Sequence, residues 1–191
     1  MVHNIAARII DWQIEKGYLK DNERNKYVYA YEILLNQLLN LCIAAFLALL
    51  SHTFMEVMVF LLVYVPVRKY AGGFHAESNG KCVIYSSIII VVVILSNKLL
   101  NSYTNGFHAI MGICTYVLLA GVWYMAPVEA VNKKLNIEER GRYRKRVRMF
   151  CIIHAALILL NVCVFKMTYI SINFLLGYIT VFIVLVMKYK K

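Results

Sequence analysis

Residues 33–51 read ILLNQLLNLCIAAFLALLS, a stretch without a charged side chain. At about 1.5 Å of rise per residue, a helix of this length crosses the roughly 30 Å hydrocarbon layer of a membrane. The whole chain agrees, because 61% of its 191 residues are hydrophobic, whereas a soluble domain is about one-half apolar. The sequence therefore predicts an integral membrane protein.

Five more apolar segments follow along the chain, at 53–67, 83–100, 107–127, 147–165 and 169–187. Their lengths predict an all-α integral membrane protein with about six transmembrane helices. Segment 53–67 is the weakest candidate, because it is short and carries Glu56 near one end. A tilted or partly re-entrant segment is the alternative there. The chain has no linker, repeat or low-complexity tract, so we predict one membrane-embedded domain over residues 1–191.

The segment before the first apolar stretch, residues 2–18, has the pattern of an amphipathic helix. Ile5, Ile9 and Trp12 fall near one face, and charged side chains occupy the other. The pattern predicts a helix that lies in the membrane interface. A helix packed against the rest of the protein is the alternative. Charges throughout the segment argue against a secretory signal peptide.

The net charge of +11 is concentrated in a few segments of the chain. Of the 21 Lys and Arg residues, only Lys98 and Lys166 lie outside the N-terminal segment, residues 68–82, residues 128–148 and the C-terminus. Positive residues favour the cytoplasmic side, so both termini and these two loops are predicted to be cytoplasmic. A basic chain can also bind nucleic acid, but the apolar segments favour a membrane, and we predict no nucleic-acid partner.

Residues 68–82, RKYAGGFHAESNGKC, lie between the second and third apolar segments and contain His75 and Cys82. A cysteine nucleophile needs a base within about 3 Å to form the thiolate. On one straight helix these two residues would be about 10.5 Å apart along the axis. Gly72-Gly73 and Asn79-Gly80 predict bends in the chain, which would let the pair approach.

A helix that begins near Lys81 would place Cys82 in its first turn, with Ser78 or Asn79 as the N-cap. The helix dipole, Lys81 and a protonated His75 would then stabilise the thiolate. This arrangement is typical of an activated cysteine. An incidental histidine and cysteine that happen to share one loop is the alternative.

Two more side chains of this segment are candidates for accessory roles, together with Ser78. Glu77 could orient His75, although a solvated carboxylate explains it equally well. Arg68 could hold a substrate carboxylate or a lipid phosphate. Alternatively, Arg68 and Lys69 simply mark the inner face of the membrane.

The other cysteines and histidines predict no second reactive site. The five cysteines are an odd number, and four of them lie in apolar segments, which argues against a disulfide framework. Cys151 with His154, and His108 with Cys114, are interpreted as core packing. Because no HExxH or other ligand spacing is present, we predict neither a metal nor a cofactor.

The second informative segment is 126–148, APVEAVNKKLNIEERGRYRKRVR, in which Pro127 ends the fourth apolar segment. A dense group of cations in this predicted loop is the candidate for binding an acidic peptide: Arg140, Arg142, Arg144, Lys145, Arg146 and Arg148. Such a group attracts an acidic segment through its field. A topology anchor on anionic lipid is the alternative.

At these residues the chain resembles the accessory gene regulator B (AgrB) family, bacterial membrane cysteine endopeptidases that process quorum-sensing propeptides. The resemblance rests on RKYAGGFHA at 68–76, on a cysteine seven residues after the histidine, and on APVE and NKK within 126–134. It implies that His75 and Cys82 are the catalytic residues. Glu129 stands where family members often have an acidic residue, without an assigned role.

The resemblance also implies the substrate and the reaction. The substrate would be an AgrD-like propeptide with an amphipathic helix, a short signal segment containing Cys or Ser, and an acidic tail. Cleavage after the signal segment would leave a thioester on the enzyme, and the propeptide side chain would then close a thiolactone or lactone ring. A homodimer in the lipid of the bacterial cell membrane is implied as well.

Functions from two other classes are compatible with the composition. One is a small membrane exporter of peptides or lipids, which six spans and Glu56 within an apolar segment would allow. The chain has no nucleotide motif and no convincing inverted repeat, which weighs against this alternative. The other is a membrane scaffold without chemistry.

Overall fold

The structure is a computed structural model that describes residues 2–72, 79–101, 107–129 and 136–189. Within these ranges the chain is almost entirely helical. Its α-helices are α1 Val2–Glu15, α2 Arg24–Leu50, α3 Phe54–Ala71, α4 Asn79–Asn101, α5 His108–Met125, α6 Ile137–Leu160 and α7 Thr168–Tyr189. A short 3-10 turn precedes α2, and a π-helical turn follows α6. The described ranges contain no strand, and the predicted all-α class is confirmed.

All six predicted transmembrane segments lie in helices of the described chain. Five helical segments there are long and apolar enough to cross a membrane, namely Asp21–Leu50, Gly80–Leu100, His108–Met125, Ile137–Phe165 and Thr168–Met187. Helix α3 is not among them, and it carries Glu56, Arg68 and Lys69. The number of six spans is therefore approximate, with α3 as the ambiguous segment.

Helix α3 nevertheless lies at the centre of the helix packing. Its buried residues recur at three- and four-residue intervals and so form one stripe: Val57, Phe60, Val63, Val67 and Ala71. The first two belong to a core shared with α2 and α4, and the last three to a core shared with α5, α6 and α7. Residues 54–71 thus form one continuous helix between two cores, rather than the re-entrant segment that the sequence allowed.

Specific contacts fix α3 and α4 against α7. Asn97 of α4 and Asn173 of α7 are fully buried and exchange hydrogen bonds of 3.0 and 2.9 Å. Such an amide pair satisfies both side chains without water and links two transmembrane helices specifically. At Gly177, α7 approaches α3 so closely that a Cβ would lie 2.9 Å from the Val63 side chain. These contacts position the two helices that flank residues 73–78.

The N-terminal helix α1 is amphipathic, and part of its apolar side packs on α2. Ala6 and Ile10 are buried in this contact. Arg24 donates hydrogen bonds of 2.7 and 3.0 Å to the Asp11 carboxylate, and this contact lowers the pKa of Asp11. Packing on the protein, the alternative interpretation, is therefore observed. Trp12 is exposed, and an additional contact with the membrane interface stays a prediction.

The basic segment at 140–148 is helical, so the prediction that it forms a loop was wrong. Helix α6 begins at Ile137 because Asn136 and Glu139 form a capping box, which satisfies the first free N–H groups of the helix. Val147 is buried, so the helix packs on the protein within this segment. The six basic side chains consequently project from a helix and not from a flexible connection.

Candidate active site

Cys82 lies in the first turn of α4, as predicted, and its thiol is half-buried. The thiol faces α2, where Asn40 Nδ2 lies 3.9 Å from Cys82 Sγ. The surroundings of Cys82 therefore combine side chains from α4 and α2.

Helix α3 ends in a backbone junction that requires glycine at position 72. Gly72 has a φ of +75°, a conformation that side-chain-bearing residues rarely adopt. A Cβ at Gly72 would lie 2.0 Å from the Val128 carbonyl oxygen. The Val128 N–H in turn donates to the Ala71 carbonyl at 2.9 Å. The APVE segment is thus fixed against the end of α3, immediately before the segment that contains His75.

His75, Glu77 and Ser78 lie outside the described residues, as does the NKK motif at 132–134, so their assigned roles stay predictions. What the structure does describe is the pair of helices on either side of 73–78. Helix α3 ends before this segment and α4 begins after it. The prediction that His75 and Cys82 do not share one straight helix stays a prediction, because His75 lies outside the described residues.

Arg68 is engaged at the end of its own helix. Its guanidinium group donates to the Gly72 carbonyl. A cation here satisfies a carbonyl at the helix C-terminus and interacts favourably with the helix dipole. Arg68 therefore stabilises the junction next to Cys82. Its predicted contact with a substrate carboxylate or a lipid phosphate stays a prediction.

The basic residues of α6 divide into two groups. Arg146 lies 5.0 Å from the centre of the Tyr70 ring and also donates to the Tyr70 hydroxyl at 2.5 Å. Arg148 lies 5.1 Å from the centre of the Trp123 ring. These contacts hold α6 against the ends of α3 and α5. All six side chains are exposed, and the other four are Arg140, Arg142, Arg144 and Lys145.

Tyr70 connects the basic part of α6 with the junction at Gly72. Its ring stacks on Phe150 with the ring centres 6.0 Å apart, and it meets the edge of Tyr143 at 5.6 Å. Tyr70 precedes Gly72 by two positions, although Arg146 is 76 residues away in sequence. The fold therefore places the basic helix next to the end of α3.

A second cluster that contains a cysteine and a histidine lies inside the helical core. Cys151 is 0% exposed and His154 is 5% exposed. The Tyr178 hydroxyl lies 3.0 Å from His154 Nδ1 and 3.9 Å from Cys151 Sγ. Phe174 packs the edge of its ring against His154. This closed cluster supports the interpretation of Cys151 and His154 as core residues.

An apolar cavity of about 320 Å³ lies beside this closed cluster, between α3, α6 and α7. Leu62, His154 and Phe165 are among its lining residues, and Cys82 is not. Apart from His154 and Asn161, its lining is apolar. Among the described residues, no three His, Cys, Asp or Glu side chains converge as metal ligands.

The sequence did not predict Asn40 as a neighbour of Cys82. A signal for Asn40 was present, because Asn36 and Asn40 interrupt the apolar segment 33–51 one helical turn apart and so share a face. Gln37 interrupts the same segment on a different face and is exposed. Composition alone does not distinguish the amide that faces α4 from the one that does not.

The helices and the thiol at the start of α4 define a polytopic α-helical membrane protein with one half-buried cysteine among polar neighbours. The family model for AgrB, accessory gene regulator B, matches residues 3–188. The chain belongs to the AgrB family.

Two relatives illustrate how far the similarity extends. A Clostridium perfringens protein named "Putative AgrB-like protein" is 26% identical over 150 residues, which are 76% of this chain and 70% of that protein. A Listeria innocua protein of the same name is 24% identical over 147 residues, with the same two shares. No solved structure matches the chain.

Proposed function

We propose that this protein is a membrane cysteine endopeptidase that cleaves an AgrD-like propeptide at the C-terminal end of its signal segment. Cys82 is the proposed nucleophile and His75 the proposed general base. Membership of the AgrB family supports a role in an agr-type system. The catalytic assignment rests on the positions of these two residues in the chain.

The single observation that carries the proposal is the position of the Cys82 thiol. It is half-buried in the first turn of α4, beside the amide of Asn40. The N-terminus of a helix stabilises an anion, and a thiolate is the reactive form of cysteine. By contrast Cys151 is fully buried within α6, where a peptide cannot reach the sulfur.

The first chemical step is the attack of the Cys82 thiolate on the scissile carbonyl carbon. His75 takes the thiol proton and later protonates the leaving amine. The carbon–nitrogen bond breaks, the acidic tail leaves with its new amino terminus, and a thioester joins Cys82 to the signal segment. Glu77 is the proposed partner that orients His75.

The second step transfers the acyl group to a side chain of the propeptide itself. A cysteine thiol of the signal segment gives its proton to His75 and attacks the thioester carbon. The bond to Cys82 breaks, the Cys82 sulfur takes up that proton, and a thiolactone ring forms. A serine hydroxyl would give a lactone instead. Water would yield a linear acid, so a site that limits access of water favours the ring.

The acidic tail is proposed to bind the exposed basic residues of α6. This helix packs next to the end of α3 through Tyr70 and Arg146, so a tail held there would lie close to the junction before His75. Attraction of this kind contributes mainly to substrate binding and orientation.

We also propose that the protein is a homodimer in the bacterial cell membrane, with both termini and the catalytic segment on the cytoplasmic side. The clustering of cations supports this orientation. Large apolar side chains on the outer surfaces of the helices support contact with lipid, among them Leu34, Phe46 and Leu99.

The test is propeptide cleavage by membranes that contain the Cys82→Ala variant. We expect no released tail and no covalent enzyme–peptide adduct, because the nucleophile is missing. Cys42→Ala is the matched control, since Cys42 is an exposed cysteine of α2, and it should cleave like the wild type. Release of the tail by Cys82→Ala at the wild-type rate would overturn the proposed mechanism.

A further inference from the structure

Asn40 of α2 lies beside the Cys82 thiol, and Asn36 lies one helical turn before it; we call these two residues the amide pair. They face the same way. Asn36 is 8% exposed. The Oδ1 atoms of both residues are buried and accept no hydrogen bond within the described part of the chain.

Such unpaired oxygens call for an explanation. A buried carbonyl oxygen without a donor costs about 1–3 kcal/mol, and native proteins leave few of them. The other buried asparagines behave differently, because Asn97 and Asn173 satisfy each other completely. The amide pair is therefore incomplete at the position where a substrate would meet the thiol.

The donor side of Asn40 is as informative as its acceptor side. Its Nδ2 atom lies 3.9 Å from Cys82 Sγ. When a thiolate adds to a carbonyl, the carbonyl oxygen becomes an anion that is close to the sulfur. A donor within about 3 Å of that oxygen stabilises the transition state. An amide nitrogen beside the sulfur is positioned for this task.

We propose that Asn40 is the oxyanion donor of the reaction at Cys82, and that the amide pair binds the backbone of the peptide substrate. Asn40 Nδ2 would donate to the scissile carbonyl oxygen, and the free Oδ1 atoms of Asn36 and Asn40 would accept N–H groups of the acyl segment. This inference rests on the proposed function. An anionic headgroup does not fit these acceptors, because carbonyl oxygens repel anions.

In the step concerned, the sulfur–carbon bond forms while the carbonyl π-electrons move onto oxygen. Asn40 donates a hydrogen bond to this oxyanion and transfers no proton. The electrons return when the carbon–nitrogen bond breaks, and the leaving amine receives its proton from the general acid. Asn40 is unchanged at the end of the step.

The test compares Asn40→Leu with the wild type and with Gln37→Leu, an exposed position of the same helix. Leucine keeps the branching and the number of side-chain heavy atoms of Asn40 and removes its donor. Loss of one oxyanion donor lowers kcat by about 100-fold or more, so we expect that fall with little change in KM. Gln37→Leu should leave both constants unchanged. Asn40→Ala provides the same comparison where the leucine variant fails to insert.

The rate at which iodoacetamide alkylates Cys82 separates catalysis from positioning of the thiol. Alkylation forms no oxyanion, so in Asn40→Leu its rate should fall far less than kcat does. A parallel fall in alkylation and kcat would show that Asn40 only positions the thiol and would overturn the proposal, as would an unchanged kcat.

The second arm uses Asn36→Leu, for which we expect a raised KM for the propeptide, because an acceptor for the substrate backbone is lost. An unchanged KM would remove Asn36 from the proposed site. The Cys82→Ala variant shows whether a negative result concerns the amide pair alone or the proposed function as a whole. If that variant is inactive while Asn40→Leu is fully active, only the amide pair has been misassigned.

Discussion

The two cysteine clusters of this protein differ in whether their polar groups are satisfied. At Cys151, the Tyr178 hydroxyl reaches both the thiol and His154, and all three side chains are buried. At Cys82, the thiol is half-buried, and the neighbouring Asn40 keeps an oxygen that is unpaired within the described ranges. The first cluster is complete without a ligand, and the second is not.

This difference is more informative than the presence of a cysteine near a histidine. In sequence, Cys151 and His154 form the closer pair, and one helical turn brings them to the same face. Burial then removes them from any substrate. A complete buried network stabilises a fold, whereas unpaired polar groups next to an accessible nucleophile are costly unless they bind something.

The largest expected effect comes from substituting the proposed base of the Cys82 site and comparing its activity with that of a variant of the Cys151 cluster. His75→Ala should abolish propeptide cleavage, because the thiol loses its base, whereas Cys151→Ala should keep it. Tail release per inserted protein is the measurement. The wild-type rate should also rise with pH where histidine loses its proton, since the neutral imidazole is the base. Activity in His75→Ala together with inactivity in Cys151→Ala would reverse the assignment of the two clusters.

The next prediction concerns the backbone that supports the Cys82 side. Gly72→Ala should lower cleavage at least tenfold, because its Cβ would collide with the Val128 carbonyl and displace the end of α3. Gly17→Ala is a matched control, since Gly17 also has a φ of +75° but has no atom within 4 Å of a Cβ. It carries the backbone strain of about 1–2 kcal/mol without the collision.

Equal activity of Gly72→Ala and Gly17→Ala would mean that the contact between Gly72 and Val128 is not needed at the site. Equal loss in both would point to backbone strain alone. Only a selective loss in Gly72→Ala links the APVE segment to catalysis.

The sequence was sufficient to predict the helical membrane fold, because apolar length is a local property that the bilayer selects directly. It did not reveal that α3, which contains the shortest of the six predicted segments, lies between the two cores. That position depends on which faces pair, and the stripe from Val57 to Ala71 is visible only as ordinary apolar residues.

The candidate site was likewise predictable only where its signals are local in the sequence. Cys82 lies in the first turn of a helix, as predicted, but the predicted bend at Asn79-Gly80 was wrong, because both residues belong to α4. The helical start of α6 carried a local signal in Asn136 and Glu139, but the density of cations suggested a loop. Asn40 was out of reach, since its contact with Cys82 spans 42 positions of sequence and depends on the packing of α2 against α4.

Helix α6 carries Cys151 and His154 in one half and the exposed cations in the other. A smaller effect is expected from neutralising the cations. Changing Arg140, Arg142, Arg144 and Lys145 together to Gln should raise KM for the intact propeptide by about 10- to 100-fold, at about 1 kcal/mol or less per exposed charge pair. The value of kcat should change little, because this binding energy is the same in the ground and transition states.

Two controls accompany the neutralised α6. The effect should fade at high salt, and it should vanish for a propeptide whose tail acids are replaced by Gln. Inverted loops in a cysteine-labelling topology assay would identify the cations as a topology anchor instead. An unchanged KM with an unchanged topology would remove the cations from the proposed binding of the tail.

The smallest expected effect is in the closed cluster itself. Tyr178→Phe removes the hydroxyl that lies 3.0 Å from His154 Nδ1 and 3.9 Å from Cys151 Sγ, while the ring keeps its packing. Hydrogen bonds between transmembrane helices contribute about 0.6 kcal/mol on average, so the free energy of unfolding in a detergent titration should fall by about that amount. Propeptide cleavage should be unchanged, because the cluster does not touch the substrate. A large loss of cleavage at unchanged stability would show that the closed cluster takes part in the reaction, and the distinction between the two cysteines would fail.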